Sequence, residues 1–471
     1  METAISAVVV IAYVVLLTFV ALRARTSHDF EDFSIANRSL PLALVFGCLA
    51  ATYVGPGFTI GFVGKGYNSG FLFVGIALAY AIQNIFVGLV VAPKLRALNN
   101  CYTLGDAIGQ KYGKNCQVIA GIISVGLCAG FSAVMAKAGG DIINNIFNLP
   151  REYSWLSVAI IVVFTALYTT FGGLRASVIT DAFQFASFAI FLPVTLLLTF
   201  YFHLHGDMSI FYNQAYEATA EGIKSTSFIK IIGLVTAFLL GETLIPPYAN
   251  MTLASKTTSI SRNGFVLAGI FSIFWFTVMV SLGIMARSII PEDTLEDHEL
   301  YKLVEIVMPH SGYALLLVVL ISVVMSSLDS LLNAGAVCFT QDIVKSFVPL
   351  KNGTALNIGR VTTVVIAIVA AVCALFVQNI INGLLTCYAV WTPAILPALI
   401  IGLWIKKPKP LAGILSMSVG SAVSVTLWII FIFILKQSVD LSLPSVIIPG
   451  LAFSILAYFI GHLWKTSKSG A

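Results

Sequence analysis

Residues 49–58 read Leu49-Ala50-Ala51-Thr52-Tyr53-Val54-Gly55-Pro56-Gly57-Phe58, and residues 241–248 read Gly241-Glu242-Thr243-Leu244-Ile245-Pro246-Pro247-Tyr248. Each stretch interrupts an apolar run long enough to cross a bilayer, which takes about 20 residues. Proline removes an amide donor, and the glycines add no side-chain constraint. The two helices are therefore expected to open near 54–57 and 241–246. Open backbone at membrane depth survives only where protein or water satisfies it. Two such breaks mark a site at mid-membrane rather than a packing accident.

Composition agrees. The 471 residues are 58% hydrophobic and 10% charged, with a mean hydropathy of +0.96. Soluble domains carry roughly a quarter charged residues, so this chain cannot cover a water-facing surface of its size. A soluble enzyme, a nucleic-acid binder and a disordered protein are excluded. What remains is an all-α polytopic membrane protein. The seven cysteines are an odd number at spacings that fit neither zinc nor a disulfide framework.

About thirteen spans are expected: 3–22, 41–65, 71–93, 116–147, 154–171, 178–202, 227–250, 264–286, 311–340, 358–379, 383–405, 411–435 and 446–464. The first is not a cleaved signal, because Glu2 precedes it and Arg23 and Arg25 follow. This puts the N-terminus outside. With that orientation, 18 of the 26 basic residues fall in cytoplasmic loops or at the cytoplasmic C-terminus, among them Lys345, Lys351, Lys465 and Lys468. Residues 102–112 are expected to form a short interfacial helix inside. Residues 291–309, with Glu292, Asp293, Glu296, Asp297 and Glu299, are expected to form an acidic, partly helical outer loop. The chain reads as one membrane domain, 1–471: an extra N-terminal helix at 3–22, a core at 41–405 and two C-terminal helices at 411–464.

The broken spans are five apart, so they enter the membrane from opposite sides. An inverted five-plus-five repeat predicts this, with its site between the two breaks. In the ninth span, Ser326, Asp329 and Ser330 share a helix face and Ser327 borders it. Hydroxyls, a carboxylate and freed carbonyls near Ala51 and Val54 are hard oxygen ligands suited to a hard cation. Serine hydroxyls also bond back to their own helix, and Asp181 at the start of the sixth span also fits an N-cap. An intramembrane acid such as Asp329 or Glu242 points to function by default. Lys137 and Asp141, four apart, read as an ion pair near the outer end. His203 and His205 read as part of a solvated outer loop.

Several motifs resemble the sodium–solute symporter family. Phe33-Ser-Ile-Ala-Asn-Arg38-Ser-Leu40 resembles the loop before its first core helix, and Ala50-Ala-Thr-Tyr-Val-Gly55 its first broken helix. Tyr168-Thr-Thr-Phe-Gly-Gly-Leu-Arg-Ala-Ser-Val-Ile-Thr-Asp181-Ala-Phe-Gln184 is similar to a family signature. Met325-Ser-Ser-Leu-Asp-Ser330 with Phe339-Thr-Gln-Asp342 resembles the eighth core helix, and Thr103-Leu-Gly-Asp106 to Gly113 the inner interfacial helix. The resemblance runs along nearly the whole chain. It implies a LeuT-like fold, and a transporter rather than an enzyme.

The resemblance also implies sodium (Na+) as the coupling ion. A first sodium site would use the carbonyls of Ala51, Val54 and Val323 and the hydroxyls of Ser326 and Ser327. A second would use Ser326, Asp329, Ser330 and Asp181. Substrate contacts would come from Tyr53, Gly55, Gly57, Tyr80, Glu242, Phe238 and Trp391. Where relatives often carry Gln-Arg after the second break, this chain has Asn250-Met251. The expected activity is sodium-coupled import of a small organic solute: an amino acid or other amine-bearing molecule, or a sugar. The alternatives are a proton-coupled carrier using Glu242 or Asp329, and a transport-inactive sensor. The expected partners are substrate, sodium and the lipid bilayer, with no nucleic acid and no obligate protein. The expected location is a bacterial inner membrane, with the C-terminus cytoplasmic.

Overall fold

The computed structural model describes residues 2–23, 29–147, 150–290 and 298–464. Arg25, His28, residues 291–297 of the acidic loop, Lys465 and Lys468 lie outside the described residues.

The described chain is almost entirely helical. In order it forms α1 (Glu2–Arg23), α2 (Leu42–Tyr53), α3 (Pro56–Ser69), α4 (Leu72–Arg96), α5 (Leu104–Tyr112), α6 (Lys114–Phe147), α7 (Ser154–Phe202), α8 (Met208–Ser225), α9 (Phe228–Leu240), α10 (Pro246–Ala254), α11 (Thr258–Ala286), α12 (Glu299–Val307), α13 (His310–Cys338), α14 (Asn352–Ala374), α15 (Ile380–Trp404), α16 (Pro410–Trp428) and α17 (Val439–Leu463). Nine helices among the described residues are long and apolar enough to cross a membrane, or eleven spans if each of two bent pairs counts as one.

Three features differ from expectation. Spans 154–171 and 178–202 are two helices that abut without a loop, together labelled α7, with the break at Gly173, where φ is 61° and ψ −163°. Glycine takes that conformation without steric penalty, so the chain turns there without a loop. Asp181 lies eight residues past that break, inside the second of the two helices, and is no N-cap. The outer segment after α7 is also more than a loop. It holds α8, capped by Asp207, whose carboxylate accepts from Ser209 N at 2.8 Å. His203 is not simply solvated: its Nε2 lies 3.4 Å from Val307 O at the end of α12.

The nine or eleven spans do not match the thirteen expected, but three local expectations have counterparts. The interfacial helix is α5, where Thr103 accepts from Asp106 N at 2.9 Å and Asp106 from Tyr102 N at 2.9 Å. Thr103 is the N-cap, and Asp106 reaches back to the amide of the residue before it. Glu299–Val307 supplies the helical part of the acidic loop. Lys137 and Asp141 pair at 2.5 Å and are about a quarter exposed.

Helix α13 is the central post. Its described core is almost fully buried, and it packs on α6 and α7. The two broken pairs lie against it through α2 and α10, and α11 packs across α2, α3 and α4. Leu40, two residues before α2, and Ser255, the residue after α10, are joined by an isolated parallel bridge. Leu40 N donates to Ala254 O at 3.1 Å and Lys256 N to Leu40 O at 3.0 Å. Arg96 Nε adds a bond to Ser255 O at 2.6 Å.

Candidate functional site

The first break falls at Val54 and Gly55, where α2 and α3 bend by 49°. Pro56 occupies the first position of α3, where its missing amide has no helical partner to lose. Thr59 Oγ1 donates to Val54 O at 2.6 Å, and Trp275 Nε1 donates to Thr59 Oγ1 at 3.2 Å. The second break runs over Gly241–Ile245, with Leu244 in the left-handed region at φ 49°. Such a conformation is uncommon for a branched residue and needs support from its surroundings. Gln83 of α4 supplies some. With its amide turned to suit both neighbours, its oxygen accepts from Thr243 N (2.6 Å) and Oγ1 (2.7 Å), and its nitrogen donates to Phe238 O at 3.2 Å.

Glu242 stands in that second break, 5% exposed. Three tyrosines from three helices donate to it. Tyr80 and Tyr248 reach Oε2 at 2.5 Å each, and Tyr388 reaches Oε1. Among the described residues no lysine, arginine or histidine forms an ion pair with it. A buried carboxylate held by hydroxyls alone keeps its demand for a positive partner.

Between the breaks lies a cavity of about 20 Å³, lined by Thr52, Gly55, Gly57, Phe58, Glu242, Tyr248, Ser327 and Leu384 among others. That volume is of the order of one water molecule. A Cβ at Gly57 would collide with Leu384 of α15, and one at Gly241 with Tyr388 of the same helix. Helix α15 is therefore the wall whose side chains fill this space. Gly55, Gly57 and Glu242 line the cavity as expected. Tyr53, Tyr80, Phe238 and Trp391 do not: the first three form an aromatic layer against the lining residues Tyr248 and Phe58, and Trp391 is buried within α15. The Tyr53 ring meets Tyr248 edge-on at 4.5 Å and Tyr80 at 5.7 Å, and Phe238 packs on Phe58 at 5.8 Å. Tyr53 Oη and Trp391 Nε1 are buried with no hydrogen-bond partner among the described residues.

The sequence reading missed Tyr248, Tyr388, Phe58 and Leu384. Tyr248 carried a signal, being three residues past the second break. Tyr388 and Leu384 sit mid-helix in α15 with no local mark.

Ser326 and Ser327 lie on α13 opposite the first break. Their hydroxyls bond back to Val323 O at 3.1 and 3.4 Å. Gly55 approaches so closely that a Cβ there would lie 2.9 Å from Ser327 Oγ. Ala51, Val54 and Val323 are fully buried. Of the expected first sodium set, Ser327 is thus seen against the first break at Gly55, while Val54 O accepts from Thr59.

The second set is also clustered. Asp181 Oδ2 accepts from Cys48 Sγ at 2.8 Å and Ser330 Oγ at 3.3 Å, and Asp329 Oδ2 accepts from Tyr168 Oη at 2.9 Å. Asp181 and Asp329 are 0% exposed, and one oxygen of each has no hydrogen-bond partner among the described residues. Two buried acids with open oxygens fit a cation. Cys48, one turn before Ala51 on α2, is a neighbour that sequence did not flag.

Comparisons with known proteins identify the family and the fold. A family model described as the sodium:solute symporter family matches residues 33–420. A sodium/glucose cotransporter of Vibrio parahaemolyticus is 26% identical, over 89% of this chain and 81% of its own. A sodium/pantothenate symporter of Escherichia coli (strain K12) is 22% identical over 97% and 96%. A sodium/proline symporter of Staphylococcus aureus is 26% identical over 98% and 93%. Among solved structures, a Na+-coupled sialic acid symporter in a substrate-bound outward-open state superposes with a TM-score of 0.80 at 13% identity, over 98% of both chains. A nucleobase-cation-symport-1 family transporter gives 0.53 at 13% identity, over 91% of this chain and 94% of its own.

Proposed function

Since the chain belongs to the sodium:solute symporter family and is an integral membrane protein that couples solute transport to sodium, we propose that it imports an amine-bearing small solute. Glu242 carries this reading. Its carboxylate faces the central cavity, is oriented by Tyr80, Tyr248 and Tyr388, and forms no ion pair with a basic residue among the described residues. An ammonium group there supplies the missing charge, and the surrounding rings add cation–π attraction. The amide end of α3, which starts at Pro56, is placed to receive an anionic group of a zwitterion.

The first sodium is held by the carbonyls of Ala51, Val54 and Val323 and the hydroxyls of Ser326 and Ser327. The second site consists of Asp181, Ser326, Asp329 and Ser330. What supports both is the oxygen chemistry and burial described above. The core is residues 41–405, flanked by 3–22 and 411–464, with the N-terminus outside and the C-terminus in the cytoplasm of a bacterial cell.

The driving force is adequate. One charge crossing about 100 mV yields roughly 2.3 kcal/mol. A tenfold sodium gradient adds about 1.4 kcal/mol. Together they sustain accumulation of a neutral or zwitterionic solute by several hundredfold. Sodium must favour the substrate-competent state, so it should tighten solute binding.

The test is uptake of a labelled panel (proline, choline, glucose and sialic acid) into proteoliposomes with an imposed inward sodium gradient. Amine-bearing solutes should be taken up by the wild type and lost in Glu242→Gln. Uptake of glucose alone, unchanged in Glu242→Gln, would sink the amine reading.

A further inference from the structure

Away from the central site, a groove of about 570 Å³ runs along the outside of the bundle. Val125 and Ala129 of α6 form one wall. Val361, Val365 and Val369 of α14 form the other, and Phe339 also lines the groove. From Thr354 to Val369 the groove follows α14 for about 22 Å at 1.5 Å per residue. One leaflet contributes about half of a 30 Å hydrocarbon core. The groove therefore spans a whole leaflet and its interface, which is the reach of a single acyl chain.

Its two ends differ in charge. At the Val369 end α14 continues through Ala370–Ala374 into Leu375 and Phe376, without a charged residue. At the other end the lining turns polar, with exposed Thr354 and Asn357. One turn further is Lys351, the N-cap of α14, whose side chain makes no capping bond. Next to it, the space where Gly353 would carry a Cβ has no atom within 4 Å, so a ligand can approach the backbone there. Lys114, the exposed first residue of α6, lies on the same helix face as Val125, and its Nζ sits 4.9 Å from the exposed Phe347 ring. No acidic residue lines the groove among the described residues.

We propose that this groove binds one anionic phospholipid, its acyl chain between α6 and α14 and its phosphate at Lys351 and Lys114. In the orientation proposed above, the lipid belongs to the cytoplasmic leaflet. An apolar slot open to the bilayer selects a chain, and lysines at one end only select the sign of the headgroup. A pair of lysines near an anionic headgroup is worth about thirtyfold in affinity.

The experiment uses the full-length protein, delipidated in non-ionic detergent and supplied with palmitoyl-oleoyl phosphatidylglycerol or the matching phosphatidylcholine. Bound lipid is counted by native mass spectrometry. Wild type should retain one phosphatidylglycerol in preference to phosphatidylcholine by about tenfold or more. Lys114→Gln combined with Lys351→Gln should remove the preference. Val365→Trp, which fills the slot, should remove retention of both lipids. The sodium-dependent rise in melting temperature reports that each variant is folded. Equal retention of the two lipids by wild type, or a preference that survives the lysine substitutions, overturns the proposal. So does a dimer mass that Val365→Trp abolishes while lipid retention stays, because the groove would then seat a second copy of the chain.

Discussion

Replacing Gly55 by alanine tests the first sodium site without touching a proposed ligand. Gly55 has φ −51° and ψ 179°, which any residue adopts, so the effect is purely steric. The new Cβ would lie 2.9 Å from Ser327 Oγ, and the hydroxyl must swing away. Overpacking of this kind costs about 1–3 kcal/mol. In Gly55→Ala/Ser327→Ala the nearest neighbours become Thr52 O at 3.5 Å and the residue-327 Cβ at 3.8 Å, ordinary contacts. The double variant should therefore recover the steric loss. Sodium at 100 times its dissociation constant adds about 2.7 kcal/mol to the native state. At about 2.1 cal/mol/K per residue, 471 residues give roughly 1 kcal/mol/K. The wild type should thus melt about 3 °C higher in NaCl than in KCl at equal ionic strength. Ser327→Ala should lose that increment yet melt nearly as wild type in KCl, because its hydroxyl makes only a 3.4 Å bond within its own helix. Gly55→Ala should lose the increment and also melt about 1–3 °C lower in KCl. The double variant should melt in KCl like Ser327→Ala. A Gly55→Ala protein that keeps the full sodium increment would refute the placement of the ion against Ser327. Losses in KCl that simply add in the double variant would refute the contact itself.

Tyr388→Phe removes one charge-assisted bond to Glu242, worth about 1.5–3 kcal/mol. The half-saturating solute concentration in proteoliposome uptake should shift by about tenfold or more, with sodium dependence retained. Asp181→Ala should lower the Hill coefficient for sodium in the same assay, and Cys48→Ala should change it little, because a thiol is a poor sodium ligand. An unchanged coefficient in Asp181→Ala would leave only one ion. Lys137→Ala should change the melting temperature by less than about 1 °C, as partly exposed i,i+4 pairs contribute about 0.3–0.5 kcal/mol.

The breaks were legible because their cause is local. Gly55-Pro56-Gly57 and Pro246-Pro247 open a helix whatever surrounds them. The grouping of Ser326, Asp329 and Ser330 was legible because helical periodicity fixes it. What escaped depends on distant partners. Tyr388 reaches Glu242 across 146 positions, and Cys48 reaches Asp181 across 133. No spacing rule links such pairs. The kink at Gly173 escaped because a glycine pair reads equally as a loop and as a bend within a helix. Helix α8 escaped because its longest apolar run, Ile210-Phe211-Tyr212, is far too short to read as a span. Tyr53, Tyr80 and Phe238 were expected at the solute but pack behind the lining residues Tyr248 and Phe58, Trp391 does not line the cavity, and Leu384 does.

The bridge between Leu40 and Ser255 has a kinetic consequence. It fastens the entry of one broken helix to the exit of the other through main-chain atoms alone. Any motion that parts these ends must release the amides of Leu40 and Lys256 together. Those two protons are therefore a built-in clock. Their exchange with deuterated solvent should be slow while the ends are fastened and should quicken in step with each opening, counting excursions of the gate without any label in the transport path.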